Sequence, residues 1–325
     1  MLIGELDRYL RGSTILISGG TGSFGHQMAE ELLKFDVKEI RIFSRGEDLQ
    51  HRMAAEHSDK RLSFIIGDVR DYQRILEATR NVDVIFNAAA LKQVPDCENH
   101  PFEAVKTNIL GAFNVKEAAI TNGVPRVVTI STDKAVKPIN SMGMTKALQE
   151  KIMTADEVHL RTTKFQVIRY GNVIGSRGSV IPLFKERIQR KLPLNVTDFR
   201  MTRFLLTLKD ATQLAFKALL EEKGNKILVL KRPACLVKDL AEVMAKGKVK
   251  VLEDEIRPGE KIHETLVQED EMRRTIEEDE YYVIHPYGTK GVPKLRTKLL
   301  EYTSENTYRL NKDEIRVLLE KEGYL

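Results

Sequence analysis

The sequence predicts an α/β chain: a doubly wound parallel sheet followed by a smaller C-terminal domain. Three observations carry this. Apolar, β-branched runs recur at residues 14–18, 40–44, 62–66, 82–86, 127–130 and 165–170, spaced by helix-sized segments, the alternation that builds a parallel sheet covered on both faces. A glycine-rich turn from Gly19 to Gly25 lies between the first run and a helical pattern through Met28, Leu32 and Leu33. Past about residue 171 the alternation becomes irregular, which divides the chain into residues 1–171 and 172–325, with room for some return of the chain to the sheet. A chain of 325 residues can bury one large or two modest cores.

In chain order, residues 4–12 read as a short helix stopped by Gly12, and the first strand follows. Gly19, Gly22 and Gly25 then give G-x-x-G-x-x-G between strand and helix. Such glycines permit a tight turn and close approach of a pyrophosphate, whose charge a helix N-terminus favours. A P-loop has the spacing of Gly20 and Gly25 but needs Lys-Ser/Thr next, and His26-Gln27 stands there instead. The second strand ends at Ser44-Arg45. An acid there would bind the ribose hydroxyls of NAD, whereas arginine accommodates the extra phosphate of NADP, so NADP is expected over NAD. A solvated loop arginine is the alternative, and Glu47 and Asp48 are close by. Asp68 follows the third strand, where it can meet an adenine edge; Asn87-Ala88-Ala89-Ala90 places small residues where backbone passes a dinucleotide. Lys92 is placed to meet a phosphate or sugar, and Asn108, in the next helical segment, needs a polar partner if it faces the core.

Ser131 to Lys146 is the stretch around which the rest is organised. It follows the fifth strand and leads into a helix starting near Met142, so Asp133, Lys134 and, one helical turn after Met142, Lys146 can converge on one pocket. The alternative is a surface ion pair with two solvated lysines. Gly171 to Gly178 reads as a loop, the basic segments 198–204 and 257–261 as loops separating helices, and Asn311 with Glu314 as the capping box of a terminal amphipathic helix.

Composition narrows the class. Hydrophobic residues make up 42% and charged residues 30%, ordinary for a soluble globular chain. A net charge of +5 from 52 basic and 47 acidic interleaved residues favours an anionic small ligand over nucleic acid. No apolar run reaches bilayer length and the N-terminus lacks a signal-peptide plan, so a cytoplasmic, membrane-free protein is expected. Cys97 and Cys235 read as free thiols. No metal is expected: the seven histidines are scattered, and His263-Glu264 is not followed by x-x-His. No G-x-S-x-G supports a serine hydrolase.

Taken together, Gly19 to Gly25, Asn87 to Ala90, Ser131 to Lys134 and Lys146 resemble the extended short-chain dehydrogenase/reductases that act on nucleotide sugars. More narrowly, Ala90 to Pro95, Ser131 to Val136 with Pro138-Ile139-Asn140, Gly171 to Val180, Met201 to Phe204 and Ile256 to Lys261 resemble the inverting UDP-N-acetylglucosamine 4,6-dehydratases, over residues 10 to 267 or so. The superfamily's catalytic Tyr-x-x-x-Lys is here Met142 to Lys146, as in the capsule-type branch of those dehydratases. A thioether offers no useful proton chemistry. Thr132, or a water held by Lys146, is expected to deprotonate the carbon 4 hydroxyl in its place.

The resemblance implies a cytoplasmic Rossmann enzyme, a lyase of surface polysaccharide or glycan precursor synthesis that assembles as a dimer or hexamer. It implies oxidation of carbon 4 by tightly bound NADP, removal of the carbon 5 proton by Lys134, protonation of the departing carbon 6 hydroxyl by Asp133, and return of hydride to carbon 6 with inversion at carbon 5. Lys134 then needs a lowered pKa and Asp133 a raised one. Carried over residue by residue, Thr21, Ser23, Phe24, Val69, Lys146 and Tyr170 join the cofactor set named above. Met142, Lys92, Asn172, Arg177, Val180 and Arg203 face the sugar or diphosphate, and Arg257 and Glu260 the uridine. The rivals are a nucleotide-sugar 4-epimerase, which never eliminates water, and a catalytically silent dinucleotide-binding regulator.

Overall fold

The computed structural model describes residues 2–155, 162–286, 289 and 300–325. Its main sheet is nine-stranded. The strands β1 (Thr14–Ser18), β2 (Glu39–Ser44), β3 (Leu62–Ile66), β4 (Val84–Asn87), β5 (Arg126–Ile130) and β6 (Lys164–Arg169) pair in parallel in the order β3-β2-β1-β4-β5-β6. All six fall on the apolar runs, with ends displaced by a residue or two. The α/β doubly wound class is therefore the observed one.

Beyond β6, Lys226–Leu230 adds a further parallel strand, and Tyr281–Ile284 and Thr275–Glu277 close the edge antiparallel. The second half of the chain thus does return to the sheet. The remainder surrounds a separate core of Ile181, Phe184, Leu194, Leu240, Met244, Ile315 and Leu319. Gly171 to Gly178 is not loop throughout: Asn172–Val173 pairs in parallel with Thr202–Leu206.

Side-chain period two explains the double winding. Ile15, Ile17, Val84, Phe86 and Val128 pack into one core, while Leu16, Ile85 and Val127 pack into the other. Buried on both faces, such strands read as continuous apolar runs. The terminal helix Lys312–Lys321 starts with the expected capping box: Asn311 Oδ1 accepts from the Glu314 N–H at 3.0 Å, and the Asn311 N–H donates to Glu314 Oε2 at 2.8 Å.

Because β1 lies between β2 and β4, the order reverses there, and the crevice at the carboxyl ends of those strands is where doubly wound sheets bind ligands. Ser18 Oγ donates to Asn87 Oδ1 at 2.7 Å and pins the two strand ends together.

Candidate active site

A cleft of about 970 Å³ opens at this crevice. Gly19, Thr21, Gly22, Ser23, Phe24 and Gly25 form one wall, Ser44, Arg45, Asp68 and Val69 the far end, and Ala88, Ala89 and Lys92 the floor next to β4. Thr132, Lys134, Met142, Lys146, Tyr170, Asn172 and Arg177 line the opposite end.

The glycines are required by space. A Cβ on Gly25 would lie 2.4 Å from the Gly20 carbonyl oxygen, and Gly19, at φ +67°, would put one 2.8 Å from the Ala89 nitrogen. The helix Ser23–Leu32 starts at Gly22 with no side-chain cap, so its first N–H groups are free for an anion. These residues fit a dinucleotide's pyrophosphate. At the far end Arg70 grips Asp68 at 2.6 Å, holding the Asp68 carboxyl below its usual range against the effect of burial. Arg45 reaches Asp68 only at 3.7 Å and its side chain is 55% exposed, leaving its guanidinium available to a ligand.

The opposite end is built by the organising stretch. Asn140 caps the helix Ser141–Thr154 by accepting from the Gly143 N–H at 2.7 Å. One turn on, Lys146 Nζ donates to the Ile130 carbonyl at 2.6 Å and to Gln149, and burial pushes its amine down to about 8 against the pull of Glu150. Met142 is buried among Cys97, Ala104, Leu91 and Val94, where its thioether fills an apolar gap. Asp133 is fully buried: its Oδ1 accepts from the Thr132 hydroxyl at 2.8 Å and from Lys134 Nζ at 3.1 Å, and its Oδ2 has no hydrogen-bonding partner in the protein.

Several residues sit differently from the expectation. Burial works against the charge of Lys134, but Asp133 and Glu264 outweigh it, so the Lys134 amine is held above its usual range, not below it. Lys92 Nζ donates to the Arg177 carbonyl at 2.7 Å, tying the loop after Asn172–Val173 across the cleft, while the Arg177 N–H donates to Ser23 Oγ at 3.1 Å. Asn108 does not line the cleft. It holds the backbone of Leu91 from both sides, at 2.8 and 2.9 Å, and so positions the floor loop. Arg203 spends its guanidinium on the carbonyls of Thr202, Ile262 and Lys261, at 2.8 to 3.0 Å. Val180 packs against the second core. Arg257 is exposed on a turn whose Gly259 carbonyl accepts from Asn140 Nδ2 at 2.9 Å; Glu260 closes that turn, accepting from the Arg257 N–H at 3.3 Å. None of Val180, Arg203, Arg257 and Glu260 lines the cleft.

Sequence reasoning missed Glu264. It is 2% exposed, with Oε1 3.5 Å from Lys134 Nζ and 3.8 Å from Arg203 Nε, and Oε2 3.9 Å from Lys261 Nζ. A glutamate following a histidine invites only a metal-motif test. Its distance in sequence from Asp133 hides the pairing.

The family described as "Polysaccharide biosynthesis protein" matches residues 15–286. The chain belongs to that family. A UDP-glucose 4-epimerase of Rickettsia akari is 44% identical, the alignment covering 96% of each chain. An uncharacterized membrane protein of Methanocaldococcus jannaschii is 40% identical, covering 99% of each. Among the described residues of this family member, no helix is long and apolar enough to cross a membrane. The solved structure of Pen from Bacillus thuringiensis is 38% identical with a TM-score of 0.91, covering 97% of this chain and 99% of that one. The fold of this polysaccharide biosynthesis family member is that of the extended short-chain dehydrogenase/reductases.

Proposed function

We propose that the protein is a UDP-N-acetylglucosamine 4,6-dehydratase that inverts carbon 5, using NADP held in the cleft. The observation that carries this reading is the Thr132-Asp133-Lys134 cluster, in which one buried carboxylate oxygen receives both a hydroxyl and an ammonium. An epimerase needs no acid for a leaving group at carbon 6 and no base for carbon 5, so Lys134 and a proton-carrying Asp133 have a task beyond carbon 4 only if water departs. The 44% identity to a protein named UDP-glucose 4-epimerase favours the second reading, 4-epimerisation.

Gly19 to Gly25 and the free helix N-terminus would hold the pyrophosphate, Arg45 the extra phosphate, and Lys146 the nicotinamide ribose. NADP bound there would supply the hydride acceptor for carbon 4 and the hydride donor for carbon 6, with carbon 5 reprotonated by solvent on the face opposite Lys134. The chain's own residues move protons. Thr132 accepts the carbon 4 hydroxyl proton and passes its own to Asp133 Oδ1, 2.8 Å away. Asp133, which lies behind the cleft's lining and next to Thr132 and Lys134, thereby holds the proton that the carbon 6 hydroxyl takes as it leaves. Lys134 must shed a proton before it takes the one on carbon 5, and Glu264 Oε1 at 3.5 Å is the acceptor in reach. Met142 takes no part, and Thr132 does the work its missing phenol would do. Tyr170 is no substitute, since burial raises its hydroxyl further from neutrality.

Turnover in heavy water tests the reading: carbon 5 acquires deuterium, and proton coupling constants report the inverted configuration. Undeuterated carbon 5 would mean epimerisation without elimination, and a deuterated product of unchanged configuration would mean retention. Cofactor choice is tested separately. Arg45→Ala should weaken NADP binding by roughly 10- to 100-fold, the worth of a charged hydrogen bond, and leave NAD binding unchanged in titrations of cofactor-free protein. Equal loss for both would remove Arg45 from that role.

A further inference from the structure

On the outer side of the helix that forms the pyrophosphate cradle, two histidines far apart in sequence meet edge to edge. His26 Nε2 and His57 Nε2 are 3.1 Å apart, with the rings tilted by 55°. Glu30 Oε1 lies 3.8 Å from His26 Nε2 and 4.0 Å from His57 Nε2, and Glu56 Oε2 lies 3.3 Å from His26 Nε2. His26 and Glu30 share one face of the helix Ser23–Leu32, one turn apart, while Glu56 ends the helix Glu47–Glu56 and His57 follows it.

We propose that His26, His57 and Glu30 bind a divalent transition metal of the zinc class, with Glu56 or water completing the shell. A tetrahedral site with ligands at about 2.0–2.1 Å has ligand atoms about 3.3 Å from one another. The separations here, 3.1 to 4.0 Å, surround a point that an ion can occupy after small side-chain rotations. A plain hydrogen bond does not account for the cluster. One ring proton can bridge the two imidazoles, but His26 Nε2 then still faces two carboxylates with one atom. Among the described residues, no Lys or Arg pairs with Glu30 or Glu56. Glu30 is also held from behind, since Gln27 Nε2 donates to its Oε2 at 3.3 Å and leaves Oε1 directed at the histidines. Outer partners of this kind orient metal ligands. Imidazole with carboxylate suits zinc and its neighbours over magnesium or calcium. The ligands are 19% to 43% exposed, which leaves a path for the ion to enter.

The site would tie the cradle's helix to the one that starts beside Gly46 and Leu49 at the cleft's adenosine end. Spacing rules do not reveal it, because His26 and His57 are 31 positions apart.

Tag-free protein, stripped with chelator and desalted, should take up one Zn²⁺ per chain by elemental analysis. Co²⁺ in its place should give the intense visible bands of a four-coordinate site. His57→Gln and Glu30→Gln, each checked for native circular dichroism, should weaken zinc binding by at least roughly 10- to 100-fold, the loss that even outer partners of ligands cause. No stoichiometric uptake, or equal uptake by both folded variants, would overturn the proposal.

Discussion

Replacing Lys134 with alanine is expected to stop elimination while leaving carbon 4 oxidation in place. Lys134 Nζ is 3.1 Å from Asp133 and lines the cleft, whereas in the proposed mechanism the carbon 4 proton leaves through Thr132. The variant should therefore build up reduced nicotinamide and 4-keto sugar on the enzyme, with dehydration slowed about a hundredfold to ten-thousandfold, the usual weight of a general acid or base. Met142→Leu is the control. It swaps one buried apolar side chain for another of similar volume, so it should stay within a few-fold of the parent. Single-turnover absorbance of the nicotinamide and mass analysis of the quenched sugar read both variants. Normal dehydration by Lys134→Ala would remove it as the carbon 5 base, and a folded but inactive Met142→Leu would give that position a role in catalysis.

Arg169→Met should cost about 3–5 kcal/mol of stability, the loss expected when one partner of a buried ion pair is removed. Arg169 is 1% exposed at the end of β6, with Glu150 at 2.5 Å and Glu271 at 2.8 Å. Burial opposes its charge, but the two carboxylates hold the guanidinium protonated. Glu150 also accepts from Ser131 Oγ at 2.5 Å, so the network joins the segment after β5, the helix that follows it and the returning chain. Methionine keeps the bulk and strands two buried carboxylates. Adding Glu150→Gln and Glu271→Gln should recover much of the loss, because neutral amides carry no unpaired charge. Urea denaturation measures all of these. A single variant within about 1 kcal/mol of the parent would show the network contributing little.

The central strands β1, β4 and β5 were legible because burial leaves an unbroken apolar run, the outer strands β2 and β3 from their isoleucines and phenylalanines, and the glycine turn because its geometry admits no side chain. Lys134 and Lys146 both line the cleft because a strand end followed by a capped helix brings near neighbours together, while Asp133, expected beside them, is buried behind Lys134 and does not line it. Glu264, Glu271 and His57 were not legible, since each acts on a partner far away in sequence, and only tertiary packing sets those distances. Lys134 shows the limit most clearly. Burial alone would lower its amine; the adjacent Asp133 opposes that most, and a second carboxylate, Glu264, adds to it from 130 positions later. Asn108 was visible as a polar residue needing a partner, but not that the Leu91 backbone would be it; Arg203 was expected at the sugar or diphosphate, and backbone carbonyls hold its guanidinium instead.

Dehydration itself is the central claim, and mass spectrometry of the sugar tests it most directly. Incubated with UDP-N-acetylglucosamine and catalytic NADP, the enzyme should yield a nucleotide sugar lighter by one water. A product of unchanged mass with the carbon 4 epimer present would contradict the account and make the protein an epimerase.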